Sequence, residues 1–332
     1  PDNFQEIPAP MVAGRTSPTN IGLGLASTLA AVDFGYLSPG RFLARTARAL
    51  DTLDQLERYR GHFYNWYDLR TLQPLRPLYV SSVDSGNLVA MLMVVREGLL
   101  EAVRAPFLPP RWADGLADGA GLLLEEIENA AQRMETPLPA AILRPVAQRI
   151  RAATQAARGA PPTLRAARLV LENFRAALDA EAAALAPDEN LSFWRTTLQA
   201  QCADFADEIR AGAPWATVEE PPWPAATGAD EPALRWDDLR RETESATLET
   251  LASLRHRWEA RLAQAPDPEF ARRWTDWLAT ASEWAAARIA DLRRAADRCA
   301  ELAEQDLDFL YDADRHLLAI GYNLDARRRD PS

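Results

Sequence analysis

Lysine is absent from this chain, and each of its 37 basic residues is Arg. Against 48 acidic residues they leave a formal charge of −11, which argues against nucleic acid or an anionic membrane surface as a partner. Cysteine is scarce. Cys202 and Cys299 are too few for a disulfide framework, so a reducing compartment is the simpler expectation, with a single bridge left open. Histidine occurs at His62, His256 and His316, too scattered for a metal site, and neither metal nor cofactor is expected. Long apolar runs are missing too. The longest, about Leu88 to Val95, falls far short of the roughly 20 residues of a spanning helix. No basic region leads into an apolar one near the N-terminus, so a soluble, untargeted segment without membrane insertion is expected.

What is present is a globular composition of 332 residues, 48% of them hydrophobic, enough to bury one large core or two medium ones. The pattern is overwhelmingly helical. Ser17-Pro18 and Ser38-Pro39 each offer an N-cap with Pro in the first turn, predicting a helix up to Gly35 and a second ending near Gly61. Leu78 to Val83 reads as briefly extended, and Asp84 or Ser85 as the cap of a third helix through Val103 that is apolar almost all round. From Pro106 onward, helices rich in Ala, Arg, Glu and Leu are predicted at about 111–134, 138–158, 163–185 and 191–211. A proline-rich stretch at 212–232 reads as a linker or crossover. Two very long helices, about 233–264 and 268–310, form a predicted hairpin turned at Pro266-Asp267-Pro268, and His316 to Tyr322 reads as a strand.

Chemistry concentrates in Gly61-His62-Phe63-Tyr64-Asn65-Trp66-Tyr67-Asp68-Leu69-Arg70 and in Ser81-Ser82-Val83-Asp84-Ser85-Gly86-Asn87. Aromatic rings can stack on the apolar faces of sugars, while Asp, Asn, His and Arg supply the donors and acceptors that replace water around hydroxyls. The expected binding set is Arg15, Asn20, His62, Tyr64, Asn65, Trp66, Tyr67, Asp68, Asp84 and Asn87, with Trp66, Tyr64 and Tyr67 as stacking platforms. An aromatic mini-core is the competing reading of the loop. Helix capping is the competing reading of Asp84 and of the run Arg15-Thr16-Ser17-Pro18-Thr19-Asn20. Asp84 and Asp68 are weak catalytic candidates, since two carboxylates are the minimum for glycoside chemistry but spacing cannot set their separation. Two other motifs carry nothing. Gly22-Leu23-Gly24 sits inside a predicted helix with no preceding strand, and Asp312-Ala313-Asp314 lacks the later ligands of a calcium loop.

Taken together, Pro1-Asp2-Asn3-Phe4-Gln5-Glu6, the Arg15 to Leu23 run, His62 to Asp68 and Tyr79 to Leu88 resemble the central region of bacterial cyclic β-1,2-glucan synthases. Gly321-Tyr322-Asn323 and Asp330-Pro331-Ser332 look like the opening of that family's glucoamylase-like segment. The resemblance implies an all-α fold, part of an (α/α) toroid of antiparallel helix pairs carrying a long inserted helical bundle. It implies residues 1–105 as the N-terminal part of the toroid, 106–305 as the insert and 306–332 as the start of the glucoamylase-like segment. The implied partners are β-1,2-glucan and the remaining domains of a large enzyme at the cytoplasmic side of the bacterial inner membrane. That enzyme cyclises the glucan by transglycosylation. Its catalytic carboxylates are expected beyond Ser332, so this portion alone is expected to bind glucan without completing the reaction. A non-catalytic helical scaffold, docking through an exposed apolar stripe on the 233–310 hairpin, is the alternative expectation.

Overall fold

The computed structural model describes residues 3–132, 140–160, 163–218, 236–244 and 246–330, and over these the chain is mostly helical. Backbone contacts divide it into two compact units, one formed by Pro1–Ala30, Leu43–Glu101 and Asp291–Ser332, the other by Ala31–Phe42 and Ala102–Ala290.

Helices start where the sequence supplies a cap. α1 (Pro18–Asp33) follows Ser17, whose hydroxyl accepts from the Asn20 amide at 3.3 Å; α2 (Pro39–Gln55) follows Ser38, which accepts from the Arg41 amide at 3.2 Å. The stop of α1 is also legible. Gly35 has φ +76°, its amide reaches the Val32 carbonyl at 2.9 Å and the Tyr36 amide reaches Ala31 at 2.7 Å, a Schellman closure. α3 (Ser82–Glu101) starts earlier than expected. Its cap is Ser81, whose Oγ accepts from the Asp84 amide at 3.1 Å, so Asp84 and Ser85 lie inside the first turn rather than capping it. The Asp84 carboxylate is thereby released for other partners.

The first unit adds short strands between these helices: β1 (Phe4–Gln5), β2 (Met11–Val12), β3 (Arg15–Thr16), β4 (Arg58–Tyr59), β5 (His62–Phe63), β6 (Tyr67–Asp68) and β7 (Tyr79–Ser81). Four more, β8 (Tyr311–Asp312), β9 (Leu317–Leu318), β10 (Gly321–Asn323) and β11 (Arg328–Arg329), lie beyond the helices. All pairings are antiparallel: β1 with β2, β3 with β6, β4 with β5, β8 with β9, and β10 between β7 and β11. Arg15 stands opposite Asp68 and Thr16 opposite Tyr67. α2 therefore ends at Gln55, short of the expected Gly61, because Arg58 to Phe63 forms a hairpin. At its turn, Gly61 takes φ +85°, and a Cβ there would lie 2.5 Å from the Glu304 carbonyl oxygen, which only Gly tolerates.

α1 and α3 touch through glycines. A Cβ on Gly22 would stand 3.0 Å from Met91 Cβ and 3.3 Å from Leu88 Cα, and one on Gly98 would meet the Leu29 side chain at 2.6 Å. Around them Leu25, Leu50, Leu53, Leu88, Leu92 and Leu99 are buried. His62 belongs to this core: it is fully buried, with Nδ1 2.9 Å from Ser85 Oγ and Nε2 2.8 Å from the Asp306 carbonyl. A carbonyl only accepts, so Nε2 carries the proton and Nδ1 accepts from the Ser85 hydroxyl. Both nitrogens are committed to protein, which takes His62 out of the expected binding set.

In the second unit α4 (Trp112–Gln132), α5 (Ala140–Arg158), α6 (Leu164–Ala180), α7 (Ala182–Leu185) and α8 (Glu189–Gly212) form a bundle in which α4 packs on α5 and α8, and α6 on α5 and α8. The stripe Ala167, Leu171, Phe174, Leu178 faces inward as its spacing predicts. The expected helix at 163–185 breaks at Glu181, whose buried carboxylate is ion-paired with Arg149. A 3₁₀ turn (Pro214–Thr217) follows α8, and most of the expected linker lies outside the described residues.

The expected single helix at 233–264 is two, α9 (Trp236–Glu244) and α10 (Leu248–Leu262). Thr247 caps α10: its hydroxyl accepts from the Thr250 amide at 3.1 Å while the Thr250 hydroxyl accepts from the Thr247 amide at 2.8 Å. α11 (Pro268–Ala303) stops short of the expected residue 310. Leu248, Leu251, Leu254, Trp258 and Leu262 of α10 are buried, as are Phe270, Trp274, Leu278, Leu292, Cys299 and Leu302 of α11. These stripes are core, and they offer no exposed docking face of the kind the scaffold alternative needs. Cys202 and Cys299 are buried free thiols, their pKa values pushed by burial to about 12 and about 11. Among the described residues no helix is long and apolar enough to cross a membrane, and no group of three or more His, Cys, Asp or Glu could hold a metal ion.

Two outcomes follow from these elements. Thr247→Ala should cost about 1 kcal/mol in chemical denaturation, with Thr247→Ser restoring most of it, because the reciprocal cap is lost and regained. Equal stability of the alanine and serine variants would contradict the cap. Burial lowers the His62 pKa below its ordinary 6.5, so the unfolded chain binds the proton more readily. The stability this contributes is full above about pH 6.5 and is lost as pH falls through the lowered folded value. Thermal midpoints should drop between about pH 7 and 5, and drop less in His62→Gln; equal slopes would contradict the assignment.

Candidate functional site

The expected binding residues separate into three groups. Tyr64 and Tyr67 are sealed, at 3% and 1% exposure. The Tyr67 hydroxyl donates to the Glu57 carbonyl at 2.7 Å and accepts from the Tyr64 amide at 2.8 Å, and burial holds its pKa far above the ordinary tyrosine value. Neither ring presents a face to a ligand. They pin the base of the aromatic loop, so the mini-core reading applies to them while Trp66 remains half-buried at the surface.

The second group converges. Asn65, in the amide orientation its neighbours require, accepts from Trp66 Nε1 at 3.1 Å and donates to Asp84 Oδ2 at 2.8 Å. The other carboxylate oxygen, Oδ1, accepts from the Thr19 hydroxyl at 2.6 Å, and Thr19 Oγ1 accepts from Asn87 Nδ2 at 3.0 Å. The Arg15 guanidinium lies 4.5 Å from the centre of the Trp66 ring, a cation–π stack. The aromatic loop, the first turn of α3 and the first turn of α1 thus meet in one chain of hydrogen bonds from the indole to Asn87. Backbone bonds set the loop: the Asn65 amide donates to the Tyr79 carbonyl at 2.8 Å and the Leu75 amide to Trp66 at 2.9 Å. Tyr79, hydrogen-bonded to Asp330, has its pKa raised to about 12, first by burial, then by that carboxylate, with the charge of Asp84 adding to the effect.

Thr19 was within reach of sequence reasoning and was missed as a site residue. Its helix-start position made capping the ready explanation, yet the cap is Ser17, and Thr19 is turned to Asp84.

Asn20 and Asp68 form the third group and line a cleft of about 330 Å³ between α1 and α2 whose walls include none of Asn65, Trp66, Asp84 or Asn87. Asp68 Oδ1 accepts from the amides of Arg70 and Thr71, both at 2.9 Å. Those bonds, the one from Thr71 foremost, hold its carboxyl below the usual carboxylate range. Its role in the structure is to turn the Asp68–Gln73 loop. Asp68 and Asp84 share no hydrogen-bond partner among the described residues, and nothing marks them as an acid and base pair.

Comparison with known protein families finds no match for the chain. Among curated proteins it is similar to the cyclic β-(1,2)-glucan synthase NdvB of Rhizobium meliloti, 35% identical over 140 residues. That stretch is 42% of this chain, which spans only 5% of the length of the relative.

Proposed function

We propose that this chain is a portion of a cyclic β-1,2-glucan synthase and contributes glucan binding to the cyclisation step. The observation that carries the reading is the convergence of Trp66 with Arg15, Asn65, Asp84, Thr19 and Asn87 on one surface. An indole gives a sugar a flat apolar face, and the fixed amides, hydroxyl and carboxylate around it give ring hydroxyls preset partners. The similarity to a protein that makes cyclic β-(1,2)-glucan supports the choice of sugar. On this reading residues 1–105 and 306–332 belong to one (α/α) toroid with 106–305 inserted, and the parent polypeptide works at the cytoplasmic side of the inner membrane. Asp84 holds substrate, while acid and nucleophile come from other parts of the parent.

Titration of linear β-1,2-glucan into this chain tests the reading. Binding should weaken at least about tenfold in Trp66→Ala and comparably in Asp84→Asn, with unchanged far-ultraviolet circular dichroism. Equal binding by the original chain and Trp66→Ala would sink the site assignment.

A further inference from the structure

The cleft between α1 and α2 has walls of a different chemistry from the Trp66 surface. Ile21 and Leu25 of α1 line it with Leu53 of α2 and with Leu56 just past the end of that helix, and Leu69 and Leu72 join them from the Asp68–Gln73 loop. Its one aromatic contributor, Tyr67, is sealed at 1% exposure, so the cleft has no open flat face for a sugar to stack on. At about 330 Å³ it lies at the lower end of small-molecule pockets. Polar groups are confined to a few, Asn20, Thr28, Thr52 and Arg45 among them.

We propose that this cleft binds a small amphiphile with an aliphatic body and one anionic head, of which a medium-chain carboxylate is the simplest member. Three observations carry it. Arg45 is exposed on the lining and has no hydrogen-bond or ion-pair partner among the described residues, so a cation stands beside an aliphatic hollow. Asp68, the lining carboxylate, has Oδ1 committed to the Arg70 and Thr71 amides and Oδ2 3.9 Å from Arg70 Nη2, which blunts its repulsion of an anionic head.

The space is also kept open at a cost. Gly24 lines the cleft from within α1, and a Cβ built on it meets nothing within 4 Å. Gly inside a helix is less favourable than Ala by roughly 1 kcal/mol, yet the position is not filled. On the same lining, Leu72 holds φ +59°, a left-handed conformation that a bulky residue rarely adopts. Bonds from the Leu72 amide to the Asp68 carbonyl at 2.9 Å and from the Asp68 amide to Gln73 at 3.0 Å enforce it. The strained loop thereby sets an aliphatic side chain over an aliphatic hollow.

Calorimetric titration of this chain with decanoate below its micelle concentration, and with 1-decanol as the uncharged counterpart, tests the proposal. One decanoate should bind per chain, and Gly24→Leu should weaken it at least about tenfold without lowering the thermal midpoint, since the added side chain enters open space and favours helix. Arg45→Gln should weaken decanoate several-fold, to the level of 1-decanol, whose own affinity stays unchanged. Trp66→Ala should leave decanoate binding intact, which keeps this result separate from the glucan titration. Absence of decanoate binding, or binding that survives Gly24→Leu, overturns the proposal. So does competition by β-1,2-glucan, or self-association that Gly24→Leu abolishes with no decanoate bound.

Discussion

The absence of a side chain at Gly22 sets how near α1 comes to α3, and the polar surface depends on that distance. Contacts climb the two helices together, Thr19 to Asp84, Gly22 to Leu88 and Met91, Leu29 to Gly98, so the helices run parallel. One turn before Gly22, the close approach delivers the Thr19 hydroxyl to Asp84 at 2.6 Å. A Cβ at Gly22 would press on the Leu88 backbone at 3.3 Å, and relief would open the pair at the end where Thr19 and Asp84 meet. The pair of glycines, one on each helix, works as a spacer whose effect is read at a hydrogen bond rather than in the core.

Ser81 is the second condition. By capping α3 it relieves Asp84 of the task that acidic residues usually perform at a helix start, leaving both carboxylate oxygens to side chains. Asp68 shows the opposite outcome. It has the same chemistry, but a turn of its own to close, and its amide bonds tie it to Arg70 and Thr71. Two carboxylates that look equivalent in the sequence are thus distinguished by whether a neighbouring serine has already taken the capping position.

What could be read from the chain divides along the same line of local against distant causes. Ser17-Pro18, Ser38-Pro39 and Gly35 announced their helix ends because the bonds involved are local, within five residues. The break before Leu248 was missed although its cap is equally local, because a Thr-x-x-Thr pair is a less conspicuous cap than one closed by Glu. The helical content was legible from periodicity. The strands that shape the site were mostly not, since two-residue strands leave no period, and their pairings join segments as distant as Tyr79 and Asn323. The aromatic loop was legible as a unit but not residue by residue: burial of Tyr64 and Tyr67, and of His62 against Ser85, depends on partners that composition does not name.

The β3–β6 register is what sorts that loop. Thr16 and Tyr67 stand opposite each other, and both line the aliphatic cleft. Their preceding neighbours, Arg15 and Trp66, form no part of that lining, and the guanidinium lies 4.5 Å from the indole centre. The bond from the Tyr67 hydroxyl to the Glu57 carbonyl and the one it accepts from the Tyr64 amide hold that ring inward. The sealed tyrosine that first looked like a sugar platform thus has its effect one residue away, by fixing the direction in which Trp66 faces.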